Sequence, residues 1–474
     1  MQPAIRFGTD GWRGVIADDF TFGNVRYCAQ SLADHLNHRG VAHQGLVIGY
    51  DTRFASEHFA AAAAEVVAAN GIRVYLCTQA TPTPIVSYAT VNRKAAGAII
   101  ITASHNPAQW NGFKVKTSDG ASAPTSVEAD IESRLPQIIA SNSVKRLSLE
   151  DGVKTGLIEY IDPSPAYYEH IARFVDLDDL RRAGLKVVVD SMYGAGSGHF
   201  KGVLQGGRTQ VTEINGERNP AFPGIQPEPI ARHLTKLADA VRTSKADVGL
   251  ATDGDADRVG IVDEKGIPLT PLQIFALLAL YLLEVRGERG PIVKTLTTSI
   301  MLFKLGAIYN VPVHETRVGF KYVAPKMISD NALIGGEESS GFGFRGHLPE
   351  RDGILAGLYF LDFMHKLGKT PSQLVEHLYS KVGPHHYQRV DLEFPPADRQ
   401  RIISRLSSDL PSRISGSEVV KVNAIDGYHF SLADGSWLLI RLSGTEPILR
   451  IYAEAVSLER AQTLVAEGRH LLGV

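Results

Sequence analysis

The stretch GLVIGYDTRFASEHFAAAAAEVVAANGIRVYLC, residues 45–77, decides the fold class of this 474-residue chain. The apolar run GLVIGYD (45–51) predicts a strand, the Ala-rich segment 56–70 predicts a helix, and Gly71 lies where a helix C-cap belongs. IRVYLC (72–77) predicts the next strand, a helix led by proline follows, and AGAIIITAS (96–104) completes a βαβαβ unit. This alternation predicts an α/β domain with helices packed on a sheet.

Two further units of the same kind follow, and then the pattern changes. The second unit runs from LKVVVDSMYGAGSG (185–198) through a helix near 228–244 to DVGLATDGDADRVGIVDEKG (247–266). The third begins with a helix at 271–285 and ends in the helix DGILAGLYFLDFMHKLG (352–368). After about residue 385, strands joined by Asp-Gly turns and a last helix predict a small α+β domain.

Composition excludes several classes of function. The 49 basic and 51 acidic residues give a net charge of −2, which argues against nucleic-acid or membrane-surface partners. Two cysteines, Cys28 and Cys77, exclude a disulfide framework. The start carries no apolar signal segment, and the apolar run 274–283 is shorter than the roughly 20 residues that span a bilayer. We therefore expect a cytoplasmic protein.

Three of the predicted units end an apolar strand in a polar loop. The loops are contained in IIITASHNP (99–107), VGLATDGDADR (248–258) and ALIGGEESSG (332–341). Ligands of open α/β sheets gather outside the carboxyl ends of the strands. A single cleft that all three loops line would explain their polarity.

Ser104, in the first of these loops, has two interpretations. Serine, histidine, asparagine and proline all form turns, so Ser104 could simply end a strand. It could instead carry a phosphoryl group, which brings two negative charges and needs a cation nearby. A hydrolase nucleophile is not expected, because the G-x-S-x-G elbow is absent.

The segment DGDADR (253–258) offers a place for that cation. Asp253, Asp255 and Asp257 alternate, so an extended backbone projects their carboxylates to one side, where Mg²⁺ would relieve their repulsion. An EF-hand is excluded because Arg258 stands where that loop requires glycine. A solvated Asp/Gly turn is the alternative.

Two other loops fit parts of a sugar phosphate. In GGEESSG (335–341), Glu337 and Ser339 offer the acceptor and donor groups that sugar hydroxyls need, although a plain Gly-Ser loop is equally consistent. RLSGTEPILR (441–450) follows a predicted strand, and four of its groups suit a dianionic phosphate: Arg441, Ser443, the amide of Gly444 and Thr445. His105, His347 and Lys114 are weaker candidates, since isolated histidines and lysines are usually structural or exposed.

The motifs FGTDGWRG (7–14), TASHNP (102–107), DGDADR, GGEESSG and RLSGTEP (441–447) together resemble the α-D-phosphohexomutase family. They occur in the family's order and span the chain from Phe7 to Arg450. The resemblance implies three related mixed α/β domains plus a C-terminal α+β domain around a central cleft. We place these domains at 1–156, 157–268, 269–384 and 385–474.

The resemblance also assigns roles to residues. It implies a phosphoserine at Ser104, with Mg²⁺ held beside it by Asp253, Asp255 and Asp257. Sugar hydroxyls would be bound by Glu337 and Ser339, and the phosphate that is not reacting by Arg441, Ser443, Gly444 and Thr445. The other implied positions are Arg13, Arg258 and Lys114 around the phosphoserine, His347 in the active site, and Lys321 as a substrate contact.

The implied activity is the interconversion of hexose 1-phosphate and hexose 6-phosphate. It requires one Mg²⁺ per chain and hexose 1,6-bisphosphate as intermediate and activator, with Lys114, or otherwise His347, handling the hydroxyl proton. Because GEES and WNGFKV resemble the glucose-preferring branch more than the G-E-Q-S-G-H glucosamine branch, glucose is expected. A phosphomannomutase or dual-specificity enzyme is the alternative, and a phosphoglucosamine mutase comes after it.

Two rival functions stay open at this point. A Mg²⁺-dependent sugar phosphatase could use Asp253 or Asp255 as nucleophile, since D-x-D after a strand also suits that chemistry. A sugar-phosphate sensor without activity is the second. For any of these functions the expected partners are small sugar phosphates, and the expected assembly is a monomer or weak homodimer.

Overall fold

The computed structural model describes residues 5–8, 10–395, 400, 402–403, 406, 410–442 and 448–472. Four separate sheets organise these residues, and they have six, four, four and six strands. The first three are mixed sheets with helices, and the fourth is wholly antiparallel. The predicted fold class, three α/β domains followed by an α+β domain, is thereby confirmed.

The first sheet has the strand order β1-β5-β4-β2-β3-β6. Strands β4, β2, β3 and β6 are parallel, whereas β5 pairs antiparallel to both β4 and β1. Its strands are β1 (Trp12–Val15), β2 (Leu46–Tyr50), β3 (Val74–Cys77), β4 (Gly97–Ile101), β5 (Trp110–Thr117) and β6 (Ile158–Ile161). Its helices are α1 (Phe22–His38), α2 (Ser56–Ala69), α3 (Thr83–Asn92), α4 (Thr125–Ser141) and α5 (Leu149–Lys154).

The second sheet has the order β10-β9-β7-β8, with only the β9–β10 pair antiparallel. Its strands are β7 (Lys186–Asp190), β8 (Gln210–Ile214), β9 (Val248–Thr252) and β10 (Val259–Val262). The helices are α6 (Ser164–Ile171), α7 (Leu177–Arg182), α8 (His199–Leu204) and α9 (Thr235–Ser244). The helix expected near 228–244 thus begins later, at Thr235, after a short 3₁₀ turn at Ala231–His233.

The third sheet has the order β12-β11-β13-β14, and again one edge pair, β13–β14, is antiparallel. Its strands are β11 (Ile292–Thr295), β12 (Val313–Thr316), β13 (Ile334–Gly336) and β14 (Phe342–Phe344). The helices are α10 (Pro271–Leu280, continued by a π turn at Tyr281–Val285), α11 (Met301–Tyr309), α12 (Phe320–Asp330), α13 (Gly353–Leu367) and α14 (Pro371–Val382).

The fourth sheet has the order β15-β20-β19-β18-β17-β16. Its strands are β15 (His386–Glu393), β16 (Arg413–Ile414), β17 (Ser417–Asn423), β18 (Tyr428–Leu432), β19 (Trp437–Leu442) and β20 (Ile448–Ala455), and α15 (Leu458–Leu472) packs on β20. Within the described ranges, the structure contains no helix with both the length and the apolar character of a membrane span.

The boundary predicted at 156/157 needs a correction. Strand β6 lies beyond it and pairs in parallel with β3, from Val74↔Ile158 to Cys77↔Ile161, so the first domain of the structure extends to Ile161. The local composition of GVKTGLIEYIDPSP (152–165) is typical of a crossing between domains. Pairing at the free edge of β3 overrides that local composition.

One hydrophobic core joins the second and third domains. Apart from Ile85 of α3, its residues lie between Tyr167 and Val382 and include side chains of β7, β9, α10, α11, β13 and α14. Helix α13 lies at its centre: every residue from Gly353 to Met364 is buried, and the helix contacts both α10 and strands β9 and β10. The first and fourth domains have cores of their own.

The three α/β sheets place their loops in the same way. In each, a parallel strand is followed directly by an antiparallel partner, as β4 by β5, β9 by β10 and β13 by β14. The intervening segments are residues 102–109, 253–258 and 337–341. A β-bridge between Arg258 and Gly341 joins the second segment to the third. Ser104 of the first segment hydrogen-bonds to Asp253 of the second, so the three polar loops meet.

Candidate active site

Ser104 follows β4 and is almost fully buried, with 1% of its surface exposed. Its hydroxyl donates a hydrogen bond of 2.8 Å to Asp253 Oδ2. His105 Nδ1 lies 3.3 Å from Ser104 Oγ. The backbone of Ser104 is left-handed, with φ of 52°, a conformation that costs a non-glycine residue about 1–2 kcal/mol. Such strain is typical of positions that the surrounding structure holds for a purpose.

The three aspartates of the second loop form a compact acidic group. Asp253, Asp255 and Asp257 are completely buried, and one carboxylate oxygen from each lies within 4.8 Å of the others. Burial and the two neighbouring carboxylates raise the pKa of Asp253 well above its ordinary value. The pKa of Asp257 is also raised, chiefly by burial. The negative charge of the three carboxylates is therefore poorly neutralised without a further cation.

The residues present fit a divalent metal ion. Oδ1 of Asp255 and Oδ1 of Asp257 are buried without a hydrogen-bond partner among the described residues. Together with Asp253 they form a set of hard oxygen donors, which is the ligand type that Mg²⁺ prefers. The hydroxyl oxygen of Ser104 adjoins this set through Asp253.

Lys114, on β5, supplies positive charge to the same group. Its Nζ lies 2.7 Å from Asp10 Oδ2, 2.8 Å from Asp255 Oδ2 and 3.7 Å from Asp257 Oδ2, and only 1% of the side chain is exposed. Although burial opposes it, the attraction of the three carboxylates raises the pKa of Lys114 above its ordinary value. Lys114 is thus held as a buried ammonium ion.

Arg351 connects all three α/β domains, a role that no sequence motif indicates. Its guanidinium lies 2.7 Å from Asp257 Oδ2, 3.0 Å from Asp10 Oδ2 and 3.4 Å from Glu337 Oε2. The neighbouring Glu350 forms a buried ion pair with Lys116 of β5. The charged residues of PERDG (349–353), which follow the polar loop GGEESSG closely in sequence, could have indicated that Arg351 belongs to the site.

Arg13, Arg258 and His105 surround the serine. Arg13 donates to the side chain of Asn106, two residues beyond Ser104. Arg258 Nε lies 3.9 Å from both Asp253 and Asp257, and its backbone N–H donates to Asp253 Oδ1. Burial and the nearby cations lower the pKa of His105 well below its ordinary value, so its imidazole is neutral.

The predicted sugar-binding residues border this cluster. Glu337 accepts a hydrogen bond of 3.0 Å from the backbone N–H of Gly319 and faces Arg351, and burial raises its pKa. Ser339 is half-buried on the turn that follows. Lys321, in the first turn of α12, reaches the first domain, where its Nζ lies 3.3 Å from Gly8 O and 3.8 Å from Glu128 Oε2.

Of the four residues predicted to bind phosphate, the structure describes Arg441, at the end of β19. Its Nε lies 3.1 Å from Asp426 Oδ2, and the same oxygen accepts a hydrogen bond of 3.0 Å from Val318 N. Val318 immediately precedes Gly319, which binds Glu337. Ser443, Gly444 and Thr445 lie outside the described residues.

His347 is not brought into this cluster. Its ring is fully buried and hydrogen-bonds to His170 Nε2 at 3.0 Å and to Asp352 Oδ2 at 2.8 Å. Asp352 also accepts from the Tyr167 hydroxyl and caps α13. The contacts of His347 therefore place it in the packing between α6 and α13, rather than beside Ser104.

The chain matches four family models in sequence order. They describe the α/β/α domains I, II and III and the C-terminal domain of phosphoglucomutase/phosphomannomutase, and they match residues 4–141, 165–266, 270–382 and 407–471. The chain belongs to the α-D-phosphohexomutase family. Members of this phosphohexomutase family are isomerases of the intramolecular phosphotransferase type, so the protein is an enzyme.

Individual relatives cover nearly the whole chain. A phosphoglucomutase/phosphomannomutase from Thermococcus kodakarensis is 31% identical over 98% of both proteins. A probable phosphoglucosamine mutase from Methanothermobacter thermautotrophicus is 33% identical over 96% of this chain and 95% of the relative. A Thermus thermophilus structure, provisionally named a phosphomannomutase, is 35% identical over the full length of both chains, with a TM-score of 0.86. The names of these phosphohexomutases differ in the sugar they specify.

Proposed function

We propose that this phosphohexomutase interconverts hexose 1-phosphate and hexose 6-phosphate, with glucose preferred, through a phosphoryl group on Ser104 and a hexose 1,6-bisphosphate intermediate. The contact of 2.8 Å between Ser104 Oγ and Asp253 carries the proposal. It places the hydroxyl beside a buried acid triad that Lys114 and Arg258 contact, and Arg13 binds Asn106 of the same loop. A serine meant only to end a strand has no need of that environment.

The charged residues would stabilise the transferred group. A phosphoryl group carries up to two negative charges, and phosphoryl transfer is accelerated mainly by positioning and electrostatic stabilisation. Asp253, Asp255 and Asp257, with an oxygen on Ser104, would hold Mg²⁺, which would neutralise charge on the phosphoryl oxygens. Arg13 and Arg258 add positive potential from two different domains.

Two side chains near Ser104 can transfer protons: the Lys114 ammonium as a donor and the neutral His105 imidazole as an acceptor. The first transfer breaks the P–O bond to Ser104 and forms one to a sugar oxygen, so the sugar hydroxyl loses a proton and Ser104 gains one. In the first transfer the Lys114 ammonium would give its proton to Ser104 Oγ, while neutral His105, 3.3 Å from Ser104 Oγ, would take the proton of the sugar hydroxyl. In the second transfer Lys114 would take the serine proton back and His105 would return its proton to the sugar oxygen.

Substrate recognition is assigned to the third and fourth domains. Glu337 is anchored by Gly319 and Arg351, and we propose that it and Ser339 bind sugar hydroxyls in either orientation of the bisphosphate. Arg441, with Ser443, Gly444 and Thr445, would bind the distal phosphate, and Lys321 would contact the substrate from α12. His347 would support α13 through Asp352.

The glucose preference is supported by the loop GGEESSG, which lacks the G-E-Q-S-G-H sequence of the glucosamine branch. The relatives named for glucosamine and for mannose supply the competing outcomes. Steady-state rates on glucose, mannose and glucosamine 1-phosphates, with a catalytic trace of the matching bisphosphate, decide among them. The highest kcat/KM is expected for glucose 1-phosphate, and a higher value for another sugar would reassign the substrate.

The phosphoenzyme is tested separately by mass spectrometry of the intact and digested protein. We expect an acid-stable ester on Ser104 and no net release of phosphate during turnover. An acyl phosphate on Asp253 or Asp255 that hydroxylamine removes, together with phosphate release, would instead show a phosphatase. Binding of sugar phosphate without conversion of any of the three sugars would show a sensor.

A further inference from the structure

A second buried charged pair binds the backbone of the loop that carries Ser104. Asp51 and Arg53 directly follow β2, and they are 1% and 0% exposed. Their side chains form an ion pair, with Arg53 Nε 3.1 Å from Asp51 Oδ2. Removing two charges from water is costly unless every polar atom finds a partner. The hydrogen-bond partners of Asp51 and Arg53 therefore indicate the role of this buried ion pair.

Arg53 binds one loop almost exclusively. Its NH2 group donates to the carbonyl oxygens of Ser104 at 2.7 Å and Asn106 at 2.6 Å. Its NH1 group donates to Pro107 O at 2.8 Å and Trp110 O at 2.9 Å. With the bond from Nε to Asp51, all five guanidinium N–H donors are engaged. Four of them fix the main chain that carries Ser104.

Asp51 reaches the other side of the same serine. The Thr102 hydroxyl donates to Asp51 Oδ2 at 2.6 Å, and the backbone N–H of Ser104 donates to Thr102 Oγ1 at 2.8 Å. One carboxylate thus holds the N–H of Ser104 through Thr102 and its C=O through Arg53. These two backbone groups flank the residue whose φ is 52°.

The second domain closes the remaining side. A Cβ on Gly254 would lie 2.3 Å from Ser104 O, and Gln226 donates a hydrogen bond of 2.9 Å to His105 O. The Phe222 ring lies over the Arg53 guanidinium, 5.1 Å away. The backbone of Ser104 consequently has fixed partners in both domains.

We propose that Asp51, Arg53 and Thr102 are positioning residues that hold the left-handed backbone of Ser104, so that its Oγ points at the acid triad. This inference rests on the proposed role of Ser104 as phosphoryl carrier. A displacement of about 1 Å at a reacting atom can cost on the order of 10²-fold in rate. We call Asp51, Arg53 and Thr102 the clamp. Its loss should therefore lower kcat and leave KM for the sugar phosphate unchanged.

Thr102→Val tests the clamp, because valine keeps the shape of threonine and removes the hydroxyl. Thr102→Ser restores the hydroxyl. Thr90→Val is the matched control: Thr90 is also fully buried, but its hydroxyl binds Val86 O within α3. We expect kcat to fall about 100-fold in T102V, with KM unchanged, and to be close to wild type in T102S and T90V.

Hydrogen exchange of the peptide that covers 102–110 gives a readout independent of the phosphoenzyme. It should be faster in T102V and normal in T102S and T90V. If T102V does not fold, Arg53→Lys replaces it, because lysine keeps the charge but cannot reach four carbonyls. Normal kcat and normal exchange in both variants would overturn the clamp. Faster exchange in a protein whose wild type carries no ester on Ser104 would uphold the clamp and overturn the proposed function.

Discussion

Ser104 and Asp253 stand 149 positions apart in the chain, and the serine hydroxyl donates to the aspartate across a boundary between two domains. Each follows a parallel strand that pairs with the antiparallel strand after it, β4 for Ser104 and β9 for Asp253. Gly254 makes the approach possible, since a side chain there would collide with the carbonyl of Ser104. The proposed chemistry depends on this contact.

Ser104→Ala should lower turnover by several orders of magnitude, because no phosphoryl group can be carried without the hydroxyl. Binding of sugar phosphate, measured by calorimetry, should be retained. The control is Ser87→Ala on α3, a buried serine whose hydroxyl has no hydrogen-bond partner among the described residues. Comparable activity in S104A and S87A would exclude a phosphoserine mechanism.

Lys114→Met should have opposite effects on metal binding and on activity. Without the ammonium that pairs with Asp255 and Asp257, the acid triad becomes more negative, so a divalent cation should bind more tightly. Turnover should fall, because the charge and proton of Lys114 are lost. Lys116→Met is the comparison, since Lys116 is equally buried but pairs with Glu350.

Titration of both lysine variants with Mn²⁺, followed by electron paramagnetic resonance, gives the affinities. Weaker binding in K114M than in K116M would contradict the assignment of the triad as the metal site. Activities of the same samples come from a coupled assay at saturating Mg²⁺.

Asp426→Asn should raise KM with a smaller change in kcat. Asp426 orients Arg441 and also accepts from Val318 N, so it ties the proposed phosphate contact to the segment that holds Glu337. An increase of about tenfold in KM, roughly 1.4 kcal/mol, is expected. Asp434→Asn is the control, because Asp434 lies in the next Asp-Gly turn of the same sheet and binds Ser436 and Arg460 instead. Equal KM values for the two variants would show that Arg441 does not contribute to substrate binding.

Glu128→Gln should make the protein more stable at pH 8 and have little effect at pH 5. Burial raises the pKa of Glu128 to about 7 from an ordinary 4.5, against the opposing attraction of Lys321. A group with a raised folded-state pKa binds more protons folded than unfolded, so stability is lost as pH rises through this window.

Glutamine avoids this loss, so a gain of at least about 1 kcal/mol is expected at pH 8. Thermal denaturation of E128Q and wild type at both pH values measures it. Glu150→Gln, an exposed residue of α5, should show no such pH dependence. A stabilisation of E128Q that is equal at pH 5 and pH 8 would contradict the raised pKa.

The periodic parts of the fold were predictable from the sequence, and long-range pairing was not. The helix at 56–70 and the strands at 45–51 and 96–104 agree with α2, β2 and β4, since apolar runs and alanine-rich segments reflect local preference. The place of β6 depends on the free edge of β3, which no local pattern reveals. For the same reason the first domain was predicted to end too early.

The site shows the same division. The aspartates of DGDADR stand close together in sequence, so their shared orientation could be predicted from spacing. Asp10, Arg53 and Arg351 were missed, because each becomes informative only when folding brings it beside residues that are distant in the chain. His347 looked similar to an active-site histidine in sequence, but its partner Asp352 binds it within the packing of α13.

The core shared by the second and third domains implies that the four domains unfold as three cooperative units. Separating these two domains at residue 268 would expose both sides of α13, whose first twelve residues are buried. Neither half should therefore persist alone, whereas the first and the fourth domains each retain an interior of their own. A protease acting under partly denaturing conditions should release a fragment that keeps residues 164–382 intact.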